Sequence, residues 1–289
     1  MTDTLNKIKE LREITGAGFL DCKKALEENN DNIDQSIDFL RKKGLAKASK
    51  KSSREAKEGA VGVYMNVNQA VLLEINSETD FAAKNNLFLD FMDKIGKYIL
   101  ENENSKDLIL EKFLEKKFEE KSISDHFNEI IAKIGENIVL KKIVVMKNEQ
   151  KTKFYSYIHN NYRPNIGKIC VILKAQVKEE NEEATQLGKN LCMHIAASKP
   201  LALDSNQLDL QLVAREKEIQ IATIKASGKP NNILEKILEG KMKKFYSEVT
   251  LLNQSYIMDP DKNIRQILDE FSKKNTFDIK EFSIFVLGS

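Results

Sequence analysis

The chain has 289 residues, of which 41% are hydrophobic and 31% are charged, and its formal net charge at pH 7 is +2. This composition is typical of a globular protein of one to three domains, and it excludes collagen-like, disulfide-rich and largely disordered chains. A nearly balanced charge also disfavours a large nucleic-acid interface, which requires a surplus of positive charge on one face.

The sequence contains no signal for a membrane or for secretion. No apolar run reaches the length of about eighteen residues that a membrane-spanning helix needs, and residues 1–15 lack the apolar core of a secretory signal. The three cysteines, Cys22, Cys170 and Cys192, form no CxxC pair, which is typical of reduced thiols. We therefore expect a cytoplasmic protein that makes no contact with membranes.

Residues 1–45 are predicted to form a domain of three short helices. The first helix ends at a turn at 15–18, the second extends from Phe19 to Glu28, and the third extends from Ile33 to Lys43 and ends at Gly44. The segment NNDN at 29–32 is predicted to form a turn and to supply an N-cap for the third helix. In the first helix Leu5, Ile8, Leu11 and Ile14 recur at helical spacing, and in the second helix Leu20, Ala25 and Leu26 are expected to face inward.

A basic linker is predicted at residues 46–58. Positive charges at 42–57 lie among alanines and serines and have two interpretations, a phosphate-binding arm or a solvated tether between domains. We favour the tether, because no aromatic residue is interleaved to stack on bases.

The first half of the core is predicted at residues 59–145. Strand-like segments at 60–66 and 69–75 flank a short polar turn, which is the pattern of a β-hairpin. One helix is then predicted over about 80–100. The remaining predicted elements of this half are helices at 105–120 and 123–134 and a strand at 138–145.

The second half of the core is predicted at residues 146–200 and 248–289. It repeats the order of the first half, with strands at 153–158 and 168–175 and a helix at 182–198. Hairpin followed by helix, found twice, predicts a duplicated α+β core. A last helix at 264–271 and a strand at 281–287 complete this half.

Residues 201–247 are predicted to form an inserted antiparallel helical hairpin, or coiled coil. The segment SGKP at 227–230 breaks the helical pattern, and Asn231 or Asn232 is suited to cap the second helix. The whole chain is thus assigned to the α+β class.

Catalytic and metal sites are not indicated by any motif. There is no GxxxxGK[ST] phosphate loop, Cys22 has no evident partner base, and the pair Glu78 and Asp80 has no defined orientation. His126, His159 and His194 do not have the spacing of metal ligands. His194 lies in an apolar helix and is expected to be buried, whereas a partner contact for His159 stays open. We expect no catalytic residue, no metal and no cofactor.

The segment ETDF at 78–81 has the strongest signal for binding. Thr79 or Asp80 is a natural N-cap for the helix that follows, and capping alone would explain the presence of these residues. However, Phe81 then lies in the first turn of the helix, beside an acidic residue. A loop tip with an acid and a large aromatic side chain is suited to insertion into a partner protein.

Several long segments, in the same order, resemble the bacterial elongation factor Ts family over nearly the whole chain. They are LREITGAGFLDCKKAL at 11–26, LRKKG at 40–44, ETDF at 78–81, AKIGEN at 132–137, MHIAASKP at 193–200 and EGKMKKF at 239–245. This resemblance implies a guanine-nucleotide exchange factor whose partner is elongation factor Tu, with no covalent chemistry of its own.

The resemblance also implies roles for particular residues. The first domain would be of the ubiquitin-associated (UBA) type and would dock on the partner's G domain through Arg12, Phe19 and Leu20, and the second core half would meet the partner's third domain. The family's Thr-Asp-Phe-Val motif, which dislocates the Mg²⁺ that holds GDP, falls on Thr79, Asp80, Phe81 and Ala82.

This chain departs from the family pattern in two ways. Ala82 replaces the usual valine, and many relatives continue beyond the position of Ser289 with a further helix. Two other classes of function stay open. One is a translation protein that binds RNA through residues 42–57, and the other is a metabolic enzyme with a small-molecule pocket.

Overall fold

The computed structural model describes residues 2–103, 108–226, 234–273 and 275–289. The chain forms two compact units, the first made of residues 1–147, 160–169 and 285–289 and the second of residues 148–159 and 170–284. Helices and sheets occur in both units, which confirms the α+β class. The finer division into five parts stays a prediction.

The first unit begins with a bundle of three helices, α1 (Thr2–Thr15), α2 (Phe19–Glu28) and α3 (Ile33–Lys51). Its small core consists of Ile8, Leu11, Cys22, Ala25 and Leu26. Asn32 caps α3, since its side chain accepts a hydrogen bond from the amide of Gln35 at 3.0 Å. The start and end of α2 are therefore as predicted, and the turn at 29–32 supplies the N-cap of α3 through Asn32.

Two predictions for this bundle are wrong. The third helix does not end at Gly44 but continues to Lys51, into the segment predicted as linker. Gly44 lies where α3 packs against α7 (Ile123–Ile134), and a Cβ there would be 3.1 Å from Cβ of Ala132, so this glycine permits close packing and does not end the helix. Leu20 was expected to face inward but is 78% exposed.

A four-stranded sheet follows in the first unit. Its strands are β1 (Glu58–Met65), β2 (Gln69–Ser77), β5 (Ile138–Lys147) and β7 (Ile166–Gly167), in the order β5-β2-β1-β7. β1 and β2 pair antiparallel from Glu58 opposite Ser77 to Met65 opposite Ala70, which confirms the predicted hairpin. β2 lies between two other strands and is buried along its whole length.

The helix predicted over 80–100 is divided into α4 (Asp80–Ala83) and α5 (Asn86–Asn102). The division lies at Asn85, whose side chain accepts a hydrogen bond from the amide of Leu87 at 2.9 Å and caps α5. As a result, α4 is a single turn that ends independently of the long helix.

The prediction of a helix over 105–120 is wrong. The described part of this segment contains α6 (Leu110–Leu114) and a ribbon of two short strands, β3 (Lys117–Phe118) and β4 (Lys121–Ser122), while residues 104–107 lie outside the described residues. Glu119 and Glu120 have positive φ angles of 47° and 67°, which form the turn of the ribbon and are incompatible with a helix. The next helix, α7, begins at Ile123 as predicted.

The core of the first unit lies between the sheet and the helices α5 and α7. Both helices bury one apolar face against it, with Phe88, Met92 and Ile95 from α5 and Ile123 and Phe127 from α7. The rings of Phe91 and Phe127 meet edge to face, with centroids 4.8 Å apart. This packing holds the end of β2 in place, directly before the segment ETDF at 78–81.

The second unit contains a three-stranded sheet in the order β11-β8-β6. Its main elements are β6 (Thr152–His159), β8 (Ile169–Val177), α8 (Glu182–Ser198), α9 (Leu210–Ala226), α10 (Leu234–Val249), β9 (Ser255–Tyr256), β10 (Asp259–Asn263), α11 (Ile264–Ser272) and β11 (Phe277–Val286). The predicted strand pair and the helix after it are confirmed, and the last strand begins earlier than expected.

The two predicted helices of the insertion are α9 and α10, which pack against each other. Nζ of Lys241 donates to Oε1 of Gln220 at 2.8 Å, and Ala202 pairs with Thr250 at the base, so the helices run in opposite directions. The predicted break at 227–230 and the candidate caps Asn231 and Asn232 lie outside the described residues.

Candidate partner-binding surfaces

The binding loop, defined here as residues 78–84, follows the end of β2. The hydroxyl of Ser77 donates to the carbonyl oxygen of Thr79 at 2.8 Å and turns the chain away from the sheet. Oγ1 of Thr79 then accepts a hydrogen bond from the amide of Ala82 at 3.2 Å. Of the two candidate caps, Thr79 is therefore the one that starts α4.

Phe81 and Ala82 face in opposite directions from this turn. The side chain of Phe81 is 82% exposed, whereas Ala82 is only 5% exposed. An isolated benzyl group this exposed leaves a large apolar area in water. The helix turn thus presents the aromatic ring outward and anchors itself through the small neighbouring residue.

Asp80 is paired with a lysine of its own turn. Nζ of Lys84 donates to Oδ2 of Asp80 at 2.7 Å, and both side chains are largely in contact with solvent. This hydrogen bond holds the pKa of the Asp80 carboxyl below its usual value. Asp80 is therefore a carboxylate at neutral pH, and Lys84, four residues later, is a member of the site that sequence analysis missed.

A second loop, which follows α7, supports the binding loop. The carboxylate of Glu136 accepts hydrogen bonds from the amide of Thr79 at 2.9 Å and from its hydroxyl at 2.7 Å. In return, Oε1 of Glu78 accepts from the amide of Asn137 at 2.6 Å. The two loops thus exchange bonds between carboxylate and backbone, and we call these four residues the clasp.

The clasp depends on the left-handed end of α7. Gly135 has a φ of +87°, a conformation that glycine adopts without steric cost, and its amide donates to the carbonyl of Ile131. The sharp exit from the helix directs Glu136 to the binding loop. The segment AKIGEN at 132–137 belongs to the resemblance to the family, but nothing in the sequence indicates that it contacts ETDF.

The end of α3 also joins the clasp. The side chain of Asn137, only 2% exposed, donates from Nδ2 to the carbonyl oxygen of Arg54 at 2.7 Å. The guanidinium of Arg54 lies 3.5 Å from Oε2 of Glu78, and Nζ of Lys51 donates to the carbonyl of Gly135. The segment after the helical bundle is therefore fixed to the binding loop.

These contacts bear on the two interpretations of the basic segment. Lys43, Lys51, Arg54 and Lys57 bind groups of this chain, namely Asp21, the carbonyl of Gly135, Glu78 and Glu55. The first part of the segment, up to Lys51, continues the helix α3, whereas the prediction was a solvated tether between domains. The engagement of these cations also weakens the case for a phosphate-binding arm.

The second predicted surface lies at the turn between α1 and α2. Gly16, with a φ of +66°, permits the tight turn, and Sγ of the buried Cys22 donates to the carbonyl of Ala17. Phe19 and Leu20 consequently project from the start of α2, 43% and 78% exposed. Arg12 is exposed in the last turn of α1, so the three predicted docking residues flank one turn.

The other side chains considered as reactive groups, Cys22 and His194, are buried inside the fold. Burial raises the pKa of the Cys22 thiol, so it is not a ready nucleophile. His194 is fully buried, as expected, and Nε2 lies 3.0 Å from Oε1 of Gln254. Within the described ranges, no group of three or more His, Cys, Asp or Glu side chains could hold a metal ion, and no helix is long and apolar enough to cross a membrane.

A family model and individual relatives both indicate the same family for this chain. Residues 78–289 match the family model of elongation factor TS. The chain is 40% identical over 273 residues to the elongation factor Ts of Sinorhizobium fredii, Brucella anthropi and Bartonella henselae. Each alignment covers 94% of this chain and 88% of the relative.

Proposed function

Because this chain belongs to the elongation factor Ts family, we propose that it is a guanine-nucleotide exchange factor for elongation factor Tu. It binds elongation factor Tu with GDP, disturbs the Mg²⁺ site and releases GDP, so that GTP can bind. The observation that carries this proposal is the 82% exposed Phe81 beside the carboxylate of Asp80, on a loop that two other segments hold in place.

Phe81 acts as a wedge in this mechanism. Full burial of a phenylalanine side chain contributes about 1.5–3 kcal/mol. A thousandfold faster release of GDP requires a barrier lower by about 4 kcal/mol. The aromatic ring therefore accounts for a large part of the effect, and the rest has to come from the metal site.

Asp80 acts on that metal site. Mg²⁺ neutralises the phosphates of GDP and is held by oxygen ligands in a strict geometry. A carboxylate brought beside this site competes for the hydrogen bonds that position the ligands and so weakens the metal. Since Lys84 holds Asp80 in the free protein, the partner has to replace that hydrogen bond when the complex forms.

The exchange is a linkage effect without a covalent step. This chain binds the nucleotide-free state of elongation factor Tu more tightly than the GDP state, and it therefore lowers the affinity for GDP. By the same coupling free energy, GDP or GTP weakens the complex and displaces the factor. The protein is on this basis no enzyme, and it acts in the cytoplasm, where translation occurs.

The remaining parts of the fold serve as docking surfaces in this proposal. The helical bundle is UBA-like and docks on the G domain through Arg12, Phe19 and Leu20, which flank the exposed turn. The core is a duplicated α+β unit, and α9 and α10 form the coiled coil. The second core half, with strands β6 and β8, contacts the third domain of elongation factor Tu.

The test is stopped-flow release of a fluorescent GDP analogue from elongation factor Tu, with and without this protein. Acceleration that saturates with the concentration of this chain supports the proposal. A complex that forms without any acceleration contradicts the exchange role. Absence of a complex would favour the RNA-binding or metabolic alternatives, of which the first predicts RNA affinity that falls steeply with salt.

A further inference from the structure

We infer that Glu136 is a positioning residue for nucleotide exchange, which acts by holding Thr79 and thereby the orientation of Asp80 and Phe81. This inference rests on the proposed function and extends it to a residue outside the binding loop. Glu136 lies 57 positions from Thr79 in the sequence and reaches it only through the fold.

The amide and the hydroxyl of Thr79 together make three hydrogen bonds, two of them to Glu136. Its amide donates to Oε2 of Glu136 at 2.9 Å, and its hydroxyl donates to Oε1 at 2.7 Å. Since the hydroxyl proton is directed at Glu136, the oxygen is free to accept from the amide of Ala82, at 3.2 Å. Glu136 therefore sets the rotamer in which Thr79 caps α4.

Apart from this cap, α4 is held by two small buried side chains, Ala82 and Ala83, which are 5% and 0% exposed. It is one turn of four residues, Asp80–Ala83, and such a short helix is not stable by itself. Loss of the cap would let the turn fray and let the exposed ring of Phe81 sample many directions. Because side chains that act on a partner's site must be held within a fraction of an ångström of the productive geometry, this freedom lowers the rate of the step that displaces GDP.

The clasp also connects the loop to the helical bundle. Asn137, next to Glu136, donates its amide proton to Glu78 and its Nδ2 proton to the carbonyl of Arg54, just beyond α3. The binding loop and the segment that follows the helical bundle are thus both hydrogen-bonded to the same residue, Asn137. We expect Glu136 to affect the maximal rate of exchange more than the affinity for elongation factor Tu.

The experiment compares Glu136→Ala with the wild-type chain in stopped-flow GDP release over a range of concentrations. The expected result is a maximal rate lower by roughly tenfold, with a half-saturating concentration that changes by less than about threefold. The matched control is Glu129→Ala on α7, which removes an ion pair with Lys121 at 2.5 Å and leaves the binding loop untouched. Equal maximal rates for Glu136→Ala and the wild type would overturn the inference.

Variants of Thr79 separate positioning from a general loss of structure. Thr79→Ser keeps the hydroxyl and should retain most of the rate, whereas Thr79→Val should lose it as Glu136→Ala does. The double variant, Thr79→Val with Glu136→Ala, should lose less than the product of the two single losses, since both break the same contact. Two fully independent losses would contradict the inference.

Amide hydrogen exchange of the free protein gives a readout that needs no partner. In Glu136→Ala the amides of Thr79 and Ala82 should exchange faster, with the amides of β2 unchanged. Unchanged protection at Thr79 and Ala82 would overturn the inference. If the wild-type chain fails to accelerate GDP release, the proposed function is wrong, and so is the role of Glu136 in nucleotide exchange. Amide hydrogen exchange would still show whether Glu136 holds the loop.

Discussion

At the scale of single residues, the binding loop combines an exposed apolar group with a tightly held backbone. Phe81 contributes little to the fold, since its ring is 82% exposed, whereas the neighbouring Thr79 makes three hydrogen bonds through its amide and hydroxyl. An apolar ring that is exposed to water in the free protein, on a backbone held in one conformation, is suited to bind in a pocket of a partner. The roles of the two residues can therefore be separated by mutation.

We predict that Phe81→Ala changes the free energy of unfolding by less than about 0.5 kcal/mol but removes most of the acceleration of GDP release. The reason is that the ring is 82% exposed on this chain and, in the proposed mechanism, packs on the partner. The control is Val67→Ala at the tip of the β1–β2 hairpin, since Val67 is 81% exposed. Urea unfolding and stopped-flow release measure the two effects, and full exchange activity in Phe81→Ala would contradict its role as a wedge.

We also predict that Lys84→Met raises the pKa of Asp80 towards its ordinary value, because the hydrogen bond from Lys84 is the largest cause that lowers it. With this lowered pKa, the pair stabilises the fold above the pKa of the unfolded carboxyl, about 3.9, and the effect disappears as the pH falls through the folded pKa. A carbon-13 NMR titration of the Asp80 carboxyl measures the shift.

A matched control for Lys84→Met is Lys94→Met. Lys94 pairs with Glu119 at 2.5 Å and lowers the pKa of that carboxyl in the same way. The control should raise the pKa of Glu119 and leave Asp80 unchanged. If Asp80 titrates identically in the wild type and Lys84→Met, the ion pair of the binding loop does not form in solution.

At the scale of elements, each core half places a helical glycine against a strand tyrosine. A Cβ on Gly96 of α5 would be 2.1 Å from the ring of Tyr64 on β1, and a Cβ on Gly188 of α8 would be 2.3 Å from the ring of Tyr155 on β6. The hydroxyl of Tyr64 donates to the carbonyl of Met92 at 3.0 Å, so the ring cannot move away freely. This shared contact favours the proposed duplication.

We predict that Gly96→Ala destabilises the protein by about 1–3 kcal/mol, because the new methyl group overlaps the ring of Tyr64. Gly240→Ala is the control, since Gly240 lies inside α10 and a Cβ there would meet nothing within 4 Å. That substitution should stabilise the protein by up to about 1 kcal/mol through helix propensity. Equal effects of the two substitutions in thermal unfolding would show that α5 does not approach β1 closely.

Helices and strands were predicted correctly where the sequence pattern that defines them is local, and wrongly where they depend on distant residues. The β1–β2 hairpin, α2 and α8 were predicted because alternation, helical periodicity and caps are local patterns. The end of α3 was misjudged because the role of Gly44 depends on Ala132, far away in the sequence. The segment at 117–122 was misjudged because a charged stretch with helical composition turns back on itself as a ribbon.

At the scale of the whole molecule, stability depends on a buried histidine of the second unit. His194 accepts a hydrogen bond at Nδ1 from the amide of Ile257 at 3.3 Å, which requires that nitrogen to be unprotonated. Nε2 then carries the proton and donates to Oε1 of Gln254 at 3.0 Å. Burial lowers the pKa of His194 below its ordinary value, although the bond to Gln254 acts in the opposite direction.

We predict that the free energy of unfolding falls as the pH is lowered from 7 to 5.5, because of His194. The unfolded histidine takes up a proton near pH 6.5, whereas the folded one does so only at lower pH, so stability is lost as the pH falls through this window. Urea unfolding of His194→Gln should lack this slope. His159→Gln, at the exposed end of β6, should keep it, and an unchanged slope in His194→Gln would refute the assignment.

The sequence by itself determined the α+β class, the family, Thr79 as a candidate cap and Phe81 as an aromatic residue at a loop tip. The class, the cap and the loop tip depend on residues within one or two turns of each other, where spacing fixes geometry, whereas the family depends on several segments in the same order along nearly the whole chain. Only the tertiary structure decided that Leu20 faces outward, that α3 continues past Gly44 and that Glu136 holds Thr79. Such contacts join segments far apart in the chain, and their geometry exists only after α3, α7 and the sheet have packed.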